Sequence, residues 1–250
     1  MGEKAVDKRM LMIAAAVIII IIVGVAAYFL MQPKPTEVKE IKIGVILPLS
    51  GKLAETGADL KRGIEFAVEQ INAAGGIKNL GGAKLVVVFG DSAGKPETGA
   101  AEAERLITEE KVVAILGAYQ SSVTKTVSEV CERYHVPHLN PDSTSPALTA
   151  RGYEWFFRTT PHDAMFAAQH VEFVNWLNEK YGNLIKRIAI IHEDTEWGTK
   201  TAEAWQEYFS AAGYEIVKVV SYHAATVTSL DSEVDALKAA NPDLVLAACY

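Results

Sequence analysis

IKIGVIL, at residues 41–47, is an apolar run rich in β-branched side chains, and it predicts a buried β-strand. A helix is predicted soon after it, over residues 59–73, because apolar side chains recur there at helical spacing: Leu60, Ile64, Ala67, Val68 and Ile71. Gly75-Gly76 ends this helix, and a second apolar strand is predicted over residues 84–89. This strand–helix–strand unit indicates parallel strands covered by a helix.

The same alternation continues along the rest of the chain. Further strands are predicted over residues 112–116, 136–140, 187–192, 214–220 and 243–248. Further helices are predicted over residues 97–110, 121–134, 162–181, 200–212 and 229–240. Alternation of this kind predicts an α/β fold with mostly parallel, doubly wound sheets and helices on both faces.

The alternation of strands and helices is interrupted over residues 141–161, which show little periodicity. A long aperiodic stretch in a compact domain is usually functional or a domain junction. We therefore place a boundary near Thr160-Pro161, so that residues 41–160 form one lobe and residues 161–250 form a second. A buried parallel strand normally has a helix and a neighbouring strand after it. Because the strand predicted over residues 243–248 has neither, we expect the second lobe to be incomplete in this chain.

Residues 10–31 carry no charged side chain. At about 1.5 Å per residue a helix of this length spans roughly 30 Å, the thickness of the apolar part of a bilayer. The length favours an uncleaved transmembrane anchor, although Gly24-Val25-Ala26 also resembles a cleavage site, so a cleaved signal segment stays an alternative. This layout predicts a cytoplasmic segment over residues 1–9, a linker over residues 32–40, and an extracellular or periplasmic folded domain on a single-pass membrane protein.

The overall charge argues against nucleic-acid binding. The formal net charge is −7, from 24 Lys+Arg against 31 Asp+Glu, and the sequence has no run of five basic residues. Such a chain lacks the positive surface that dominates nucleic-acid affinity. The two cysteines, Cys131 and Cys249, form neither a metal motif nor a CxxC motif, and the sequence leaves open whether they pair or are free buried thiols.

The most informative segment comes after the strand predicted over residues 112–116. Gly117 permits a sharp exit from that strand, and Ser121 and Ser122 then stand where a helix begins. Free backbone N–H groups at a helix N-terminus bind anions such as a ligand carboxylate. A purely structural N-cap is the alternative for these serines.

Motifs for catalysis are weak. The stretch GDSAGKP, residues 90–96, resembles a phosphate-binding loop but is one residue short between its glycines and has proline where serine or threonine is required. The sequence has no GxSxG or HExxH motif. His135 and His138 do not share a helical face, so a structural role is favoured over metal binding. We therefore predict a protein without catalytic residues, cofactors or metal ligands.

The chain resembles the type I periplasmic solute-binding proteins, in particular the leucine/isoleucine/valine-binding proteins of ABC importers. The resemblance covers residues 41–250 and rests on the order and spacing of many short matches. These include IGVILPLSG at residues 43–51, INAAGGI at residues 71–77, Asp91, ILG at residues 115–117, Ser121-Ser122, Thr144, RGY at residues 151–153 and Gly198. It implies two α/β lobes that close on a small solute without performing chemistry.

The resemblance also implies a ligand site. Ser121 matches the serine that binds the ligand carboxylate, beside Tyr119 and Gln120. Thr144 matches a threonine that contacts the ligand, and the backbone carbonyl of Asp142 stands where the ligand amino group is received. In the second lobe, the matching aromatic residues are Trp197 and Tyr250.

Two departures leave the ligand open. Thr56 stands where an aromatic residue often lines the cleft, and Asp142 replaces a small residue. An amino acid, an amide and a urea-like solute therefore remain alternatives. The function that we expect is capture of an amino-acid-like solute for an ABC permease, with a ligand-sensing ectodomain of the same fold as the second reading and a doubly wound enzyme as the third.

Overall fold

The computed structural model describes Met12, residues 17–25, Tyr28 and residues 39–250. The chain divides into two compact units, Met1–Val38 and Lys39–Tyr250. In the first unit, residues 17–25 are helical and exposed. Half of the segment 10–31, all of residues 1–9 and most of the predicted linker lie outside the described residues. Within the described part, no helix combines the length and the apolar character needed to span a membrane.

The second unit begins with a sheet of five parallel strands. In chain order the strands are β1 (Glu40–Leu47), β2 (Lys84–Asp91), β3 (Ile115–Gly117), β4 (His138–Asn140) and β5 (Phe156–Arg158). Their order across the sheet is β2-β1-β3-β4-β5. The helices that connect them are α1 (Ala54–Ala73), α2 (Pro96–Thr108) and α3 (Ser121–Tyr134).

A second parallel sheet of three strands follows. It contains β6 (Arg187–Glu193), β7 (Glu215–Tyr222) and β8 (Leu244–Ala248), in the order β7-β6-β8. Its helices are α4 (Asp163–Tyr181), α5 (Glu196–Ala211) and α6 (Asp231–Ala239). The predicted boundary at Thr160-Pro161 falls between β5 and α4, and the exact division into lobes stays a prediction.

Each sheet has a core of its own. In the first, Ile46 and Ile115 of the sheet pack with Leu106, Val123 and Val127 of α2 and α3. In the second, the sheet packs against α4 and α5, and the core includes Ile188, Ile190, Val174, Trp205 and Phe209. Burying a large apolar side chain stabilises a fold by about 1.5–3 kcal/mol. Because the cores are separate, the strand ends of both sheets can present loops to a shared cleft.

The structure departs from the sequence prediction at the starts of α1 and α5 and at the strand β5; α5 begins at Glu196 rather than residue 200. Helix α1 begins at Ala54 rather than residue 59, and its first turn packs so closely on the preceding loop that a Cβ on Gly57 would lie 2.1 Å from Pro48 O. The strand β5 lies within the stretch 141–161 that shows no periodicity. It has only three residues, so it depends on pairing with β4 rather than on a local pattern.

Candidate functional site

Asp91, at the end of β2, joins the loops that follow β1 and β2. Its Oδ1 accepts hydrogen bonds from the backbone N–H groups of Leu49 at 2.9 Å, Ser50 at 3.2 Å and Ala93 at 2.8 Å. Burial opposes ionisation of Asp91, but the Ser50 hydroxyl and these amides outweigh it and lower the pKa of the carboxyl. The charged Asp91 therefore fixes the rim of the first sheet.

His138 holds the backbone at Gly117, where the chain leaves β3. The His138 ring is fully buried, and its Nε2 lies 2.6 Å from Gly117 O. Nδ1 has no partner within the described residues, so Nε2 carries the proton and donates it to Gly117 O. Burial lowers the pKa of His138 to about 4, so the ring is neutral near pH 7. Gly117 itself has φ +116°, and a Cβ there would lie 2.3 Å from Ile46 O.

The first turn of α3 follows this exit. Gln120 is the N-cap residue and makes no side-chain cap, and the first helical hydrogen bond runs from Thr124 N to Gln120 O at 2.9 Å. The backbone N–H groups of the three residues before Thr124 thus have no partner within the helix. Ser121 is 1% exposed, and its Oγ accepts from Ser145 N at 3.4 Å. The start of α3 therefore has the free amides that an anion-binding position requires, and its role in ligand binding stays a prediction.

A cleft of about 610 Å³ opens beside the start of α3, between the strand ends of the two sheets. From the first-sheet side it is lined by the loops after β1 and β2 and by Gln120 and Ser122. From the second-sheet side it is lined by Glu193, Thr195, the loop after β7 and Tyr250. Lys52 crosses this cleft, because its Nζ donates to Ala224 O at 2.9 Å.

Three of the predicted aromatic residues meet at one edge of the cleft. The ring of Tyr250 lies 4.6 Å from the ring of Trp197 and 5.5 Å from that of Tyr119, measured between centroids. Burial and the charge of Glu193 raise the pKa of Tyr250, while a hydrogen bond with the Ser121 backbone opposes that shift. Tyr250 therefore connects the second sheet to the start of α3.

The other predicted residues lie next to this edge rather than along the cleft. Asp142 is half-buried, and burial raises the pKa of its carboxyl. The carbonyl of Thr144 accepts from Asp163 N at 2.9 Å. Of the seven residues predicted to bind ligand, Gln120 and Tyr250 lie on the cleft wall. The five that do not line the cleft are Tyr119, Ser121, Asp142, Thr144 and Trp197.

Sequence reasoning did not include Glu193 in the site. Its side chain is 3% exposed, Oε1 accepts from Thr195 Oγ1, and Oε2 accepts from Tyr250 N at 3.2 Å. Gly198 makes room for it, since a Cβ there would lie 2.7 Å from Glu193 Cγ. The available signal was its position at the end of β6, three residues before the first residue of α5.

The cysteines and histidines show no metal or disulfide chemistry. Cys131 is a buried free thiol whose pKa burial raises to about 12, and Cys249 is free and exposed. Within the residues that the structure describes, no group of three or more His, Cys, Asp or Glu side chains is arranged to hold a metal ion.

Comparison with known proteins identifies the class. The family model described as periplasmic binding protein matches residues 40–250. The Leu/Ile/Val-binding protein homolog 7 of Brucella abortus is 36% identical over 214 residues, which are 84% of this chain and 52% of that protein. The chain therefore belongs to the periplasmic binding protein family, and it spans about half the length of the curated relatives that it matches.

Solved structures agree with this assignment. The branched-chain amino acid transporter substrate-binding protein LivJ of Streptococcus pneumoniae, in complex with isoleucine, has a TM-score of 0.71 and 28% identity over 84% of this chain and 57% of its own. A solute-binding protein of Rhodopseudomonas palustris, in complex with 3,4-dihydroxybenzoic acid, has a TM-score of 0.73 at 22% identity, over 84% of this chain and 55% of its own, and shares the fold. The two-lobed α/β fold is thus confirmed. The relatives are solute-binding proteins rather than enzymes, in agreement with the prediction of a non-catalytic chain.

Proposed function

We propose that this chain forms part of an extracytoplasmic receptor that binds an amino-acid-like solute in the cleft between its two sheets. The observation that carries the proposal is the uncapped start of α3, which faces a second sheet across a cavity of about 610 Å³. Cavities of this size accommodate small solutes, and they are found where parallel strands end.

The start of α3 is the proposed position of the ligand carboxylate. Free first-turn amides and the helix dipole together stabilise a negative charge there. In the structure the Tyr250 side chain lies beside the Ser121 backbone at the start of α3. We propose that a ligand carboxylate takes this place, and that the aromatic rings of Tyr119, Trp197 and Tyr250 form the neighbouring wall. Asp142 and Thr144 would then contact the amino group.

Delivery to an ABC permease is the proposed role of the bound form. The LivJ structure is described as a transporter substrate-binding protein, which supports this role by similarity. The uncharged segment 10–31 is proposed to export the domain or to anchor it at the outer face of the membrane. A ligand-sensing ectodomain with an amide or urea-type ligand is the alternative, and a permease encoded beside this protein would separate the two roles.

A substitution at the start of α3 tests the proposal. Isothermal titration calorimetry with a panel of amino acids, amides and urea should find a ligand for the unmodified chain. Ser121→Ala should then weaken that ligand about tenfold, since a hydrogen bond to a charged group contributes about 1.5 kcal/mol or more.

Ser128→Ala is the matched control, because Ser128 is equally buried in α3 but binds Arg151 at 2.6 Å instead of facing the cleft. It should lower the stability and leave the affinity unchanged. Equal affinity in the Ser121→Ala variant and the unmodified chain would remove the carboxylate assignment.

A further inference from the structure

The cleft wall on the first-sheet side contains the starts of three helices and two lysines. Helices α1, α2 and α3 all begin at this wall, and their N-cap residues, Leu53, Lys95 and Gln120, all line it. None of these three side chains caps its helix by a hydrogen bond. The positive ends of three helix dipoles therefore point toward one cavity.

Two lysines add full charges to the same wall. Lys52 and Lys95 line the cleft, and within residues 39–250 neither ammonium group forms an ion pair. The carboxylate on the facing wall, Glu193, already accepts hydrogen bonds from Thr195 and Tyr250. Among the described residues that line the cleft, the two lysines therefore face a single carboxylate, that of Glu193.

Gln120 gives an independent sign that a polar molecule enters here. Its Oε1 is buried and has no hydrogen-bond donor within the described part of the chain. The side chain packs over Gly94, where a Cβ would lie 3.0 Å from this oxygen. A buried acceptor without a donor costs about 1–3 kcal/mol. A hydroxyl or N–H group of a bound solute would relieve that cost.

We propose that the solute carries a second anionic group, and that Lys52, Lys95 and the starts of α1 and α2 bind it. This inference rests on the proposed function, in which the first carboxylate lies at the start of α3. It favours an acidic, dicarboxylate-type amino acid over one with a branched apolar side chain. An aliphatic group placed against this wall would desolvate two ammonium groups without offering them an anion.

The test is calorimetric titration of the whole chain with L-glutamate, L-glutamine and L-leucine as probes. Glutamate and glutamine differ little in shape, so their comparison isolates the second charge. We expect glutamate to bind at least about tenfold more tightly than glutamine, and added salt to reduce this preference. Leucine should bind more weakly than either.

Lys95→Gln should reduce the preference for glutamate over glutamine to about threefold or less. Lys95 makes no ion pair, so the substitution removes a charge without breaking one. Lys78→Gln, at an exposed lysine of the turn before β2, is the control and should keep the full preference.

The outcomes separate the two proposals. Binding of glutamine or leucine as tight as that of glutamate overturns the second anionic group and leaves the proposed function standing. A glutamate preference that survives both Lys95→Gln and Lys52→Gln also overturns it. If no amino acid, amide or urea binds, the proposed function fails and this inference fails with it.

Discussion

His138 shows how one buried residue supports the site without touching it. The neutral ring donates to Gly117 O and contacts Phe156 at 5.3 Å between ring centroids. Because His138 begins β4 beside β3, protonation would place a charge next to the loop that leads to α3. The fold therefore depends on an uncharged histidine at this position.

This dependence predicts a loss of stability in mild acid. The folded pKa, about 4, lies below the unfolded value near 6.5, so the unfolded chain binds the proton first as the pH falls. The stabilisation is complete above pH 6.5 and is lost as the pH falls toward 4. Between pH 7 and pH 5 we expect His138 to account for a loss of about 2 kcal/mol in the free energy of unfolding, measured by urea denaturation.

Variants isolate this effect from that of other groups. His138→Gln keeps an N–H donor but cannot titrate in this range, so its stability should change less between pH 7 and pH 5 than that of the unmodified chain. His135→Gln, at the exposed end of α3, should behave like the unmodified chain. The same pH dependence in all three proteins would contradict the assignment.

Helix α1 carries two glycines with opposite roles. Gly57 is buried in the first turn, where a Cβ would lie 2.1 Å from Pro48 O, whereas Gly63 is exposed and nothing lies within 4 Å of its Cβ position. Gly57→Ala should cost about 2 kcal/mol or more, because the backbone of the loop after β1 must move. Gly63→Ala should stabilise the helix by about 0.5–1 kcal/mol, since it removes the entropic cost of a helical glycine.

Thermal denaturation of the two variants measures this difference. The exposed substitution is the control for helix propensity, so the contrast between the variants reports the close contact alone. A Gly57→Ala variant as stable as the Gly63→Ala variant would mean that the start of α1 is not held against Pro48.

Local patterns predicted the elements that depend on local sequence. Helix α3 spans Ser121–Tyr134 as expected, because its apolar spacing and its serine start lie within one segment. The start of α1 and the strand β5 were missed because they depend on a close backbone contact and on pairing with β4. In the site, Gln120 follows from its place after a strand. Glu193 and the two lysines become neighbours of Gln120 only when the two sheets meet, which spacing along the chain does not reveal.

At the scale of the whole Lys39–Tyr250 unit, Glu196 connects the two sheets beside the cleft. Its carboxylate accepts from Ser145 Oγ at 3.4 Å and lies 3.5 Å from Lys125 Nζ of α3. These contacts are made only while α5 lies close to α3. They therefore stabilise the arrangement in which the two sheets face each other across the cleft.

Glu196→Gln should weaken ligand binding about two- to fivefold, since a partly exposed ion pair contributes up to about 1 kcal/mol and affinity follows the population of the closed form. The affinity is measured by calorimetry. Small-angle scattering without ligand should show a larger radius of gyration for the Glu196→Gln variant than for the unmodified chain. Glu203→Gln is the control, because Glu203 pairs with Lys200 of the same helix at 2.7 Å. Identical affinities for the two variants would exclude this role.

One carboxylate oxygen of Asp91 accepts hydrogen bonds from three backbone amides in two loops. This arrangement affects binding as well as the shape of the rim. The loops after β1 and β2 cannot rearrange independently, so the conformational entropy of this rim is lost on folding and not when a solute arrives. In the proposed receptor, a solute that enters the cleft would therefore meet one half that is already ordered.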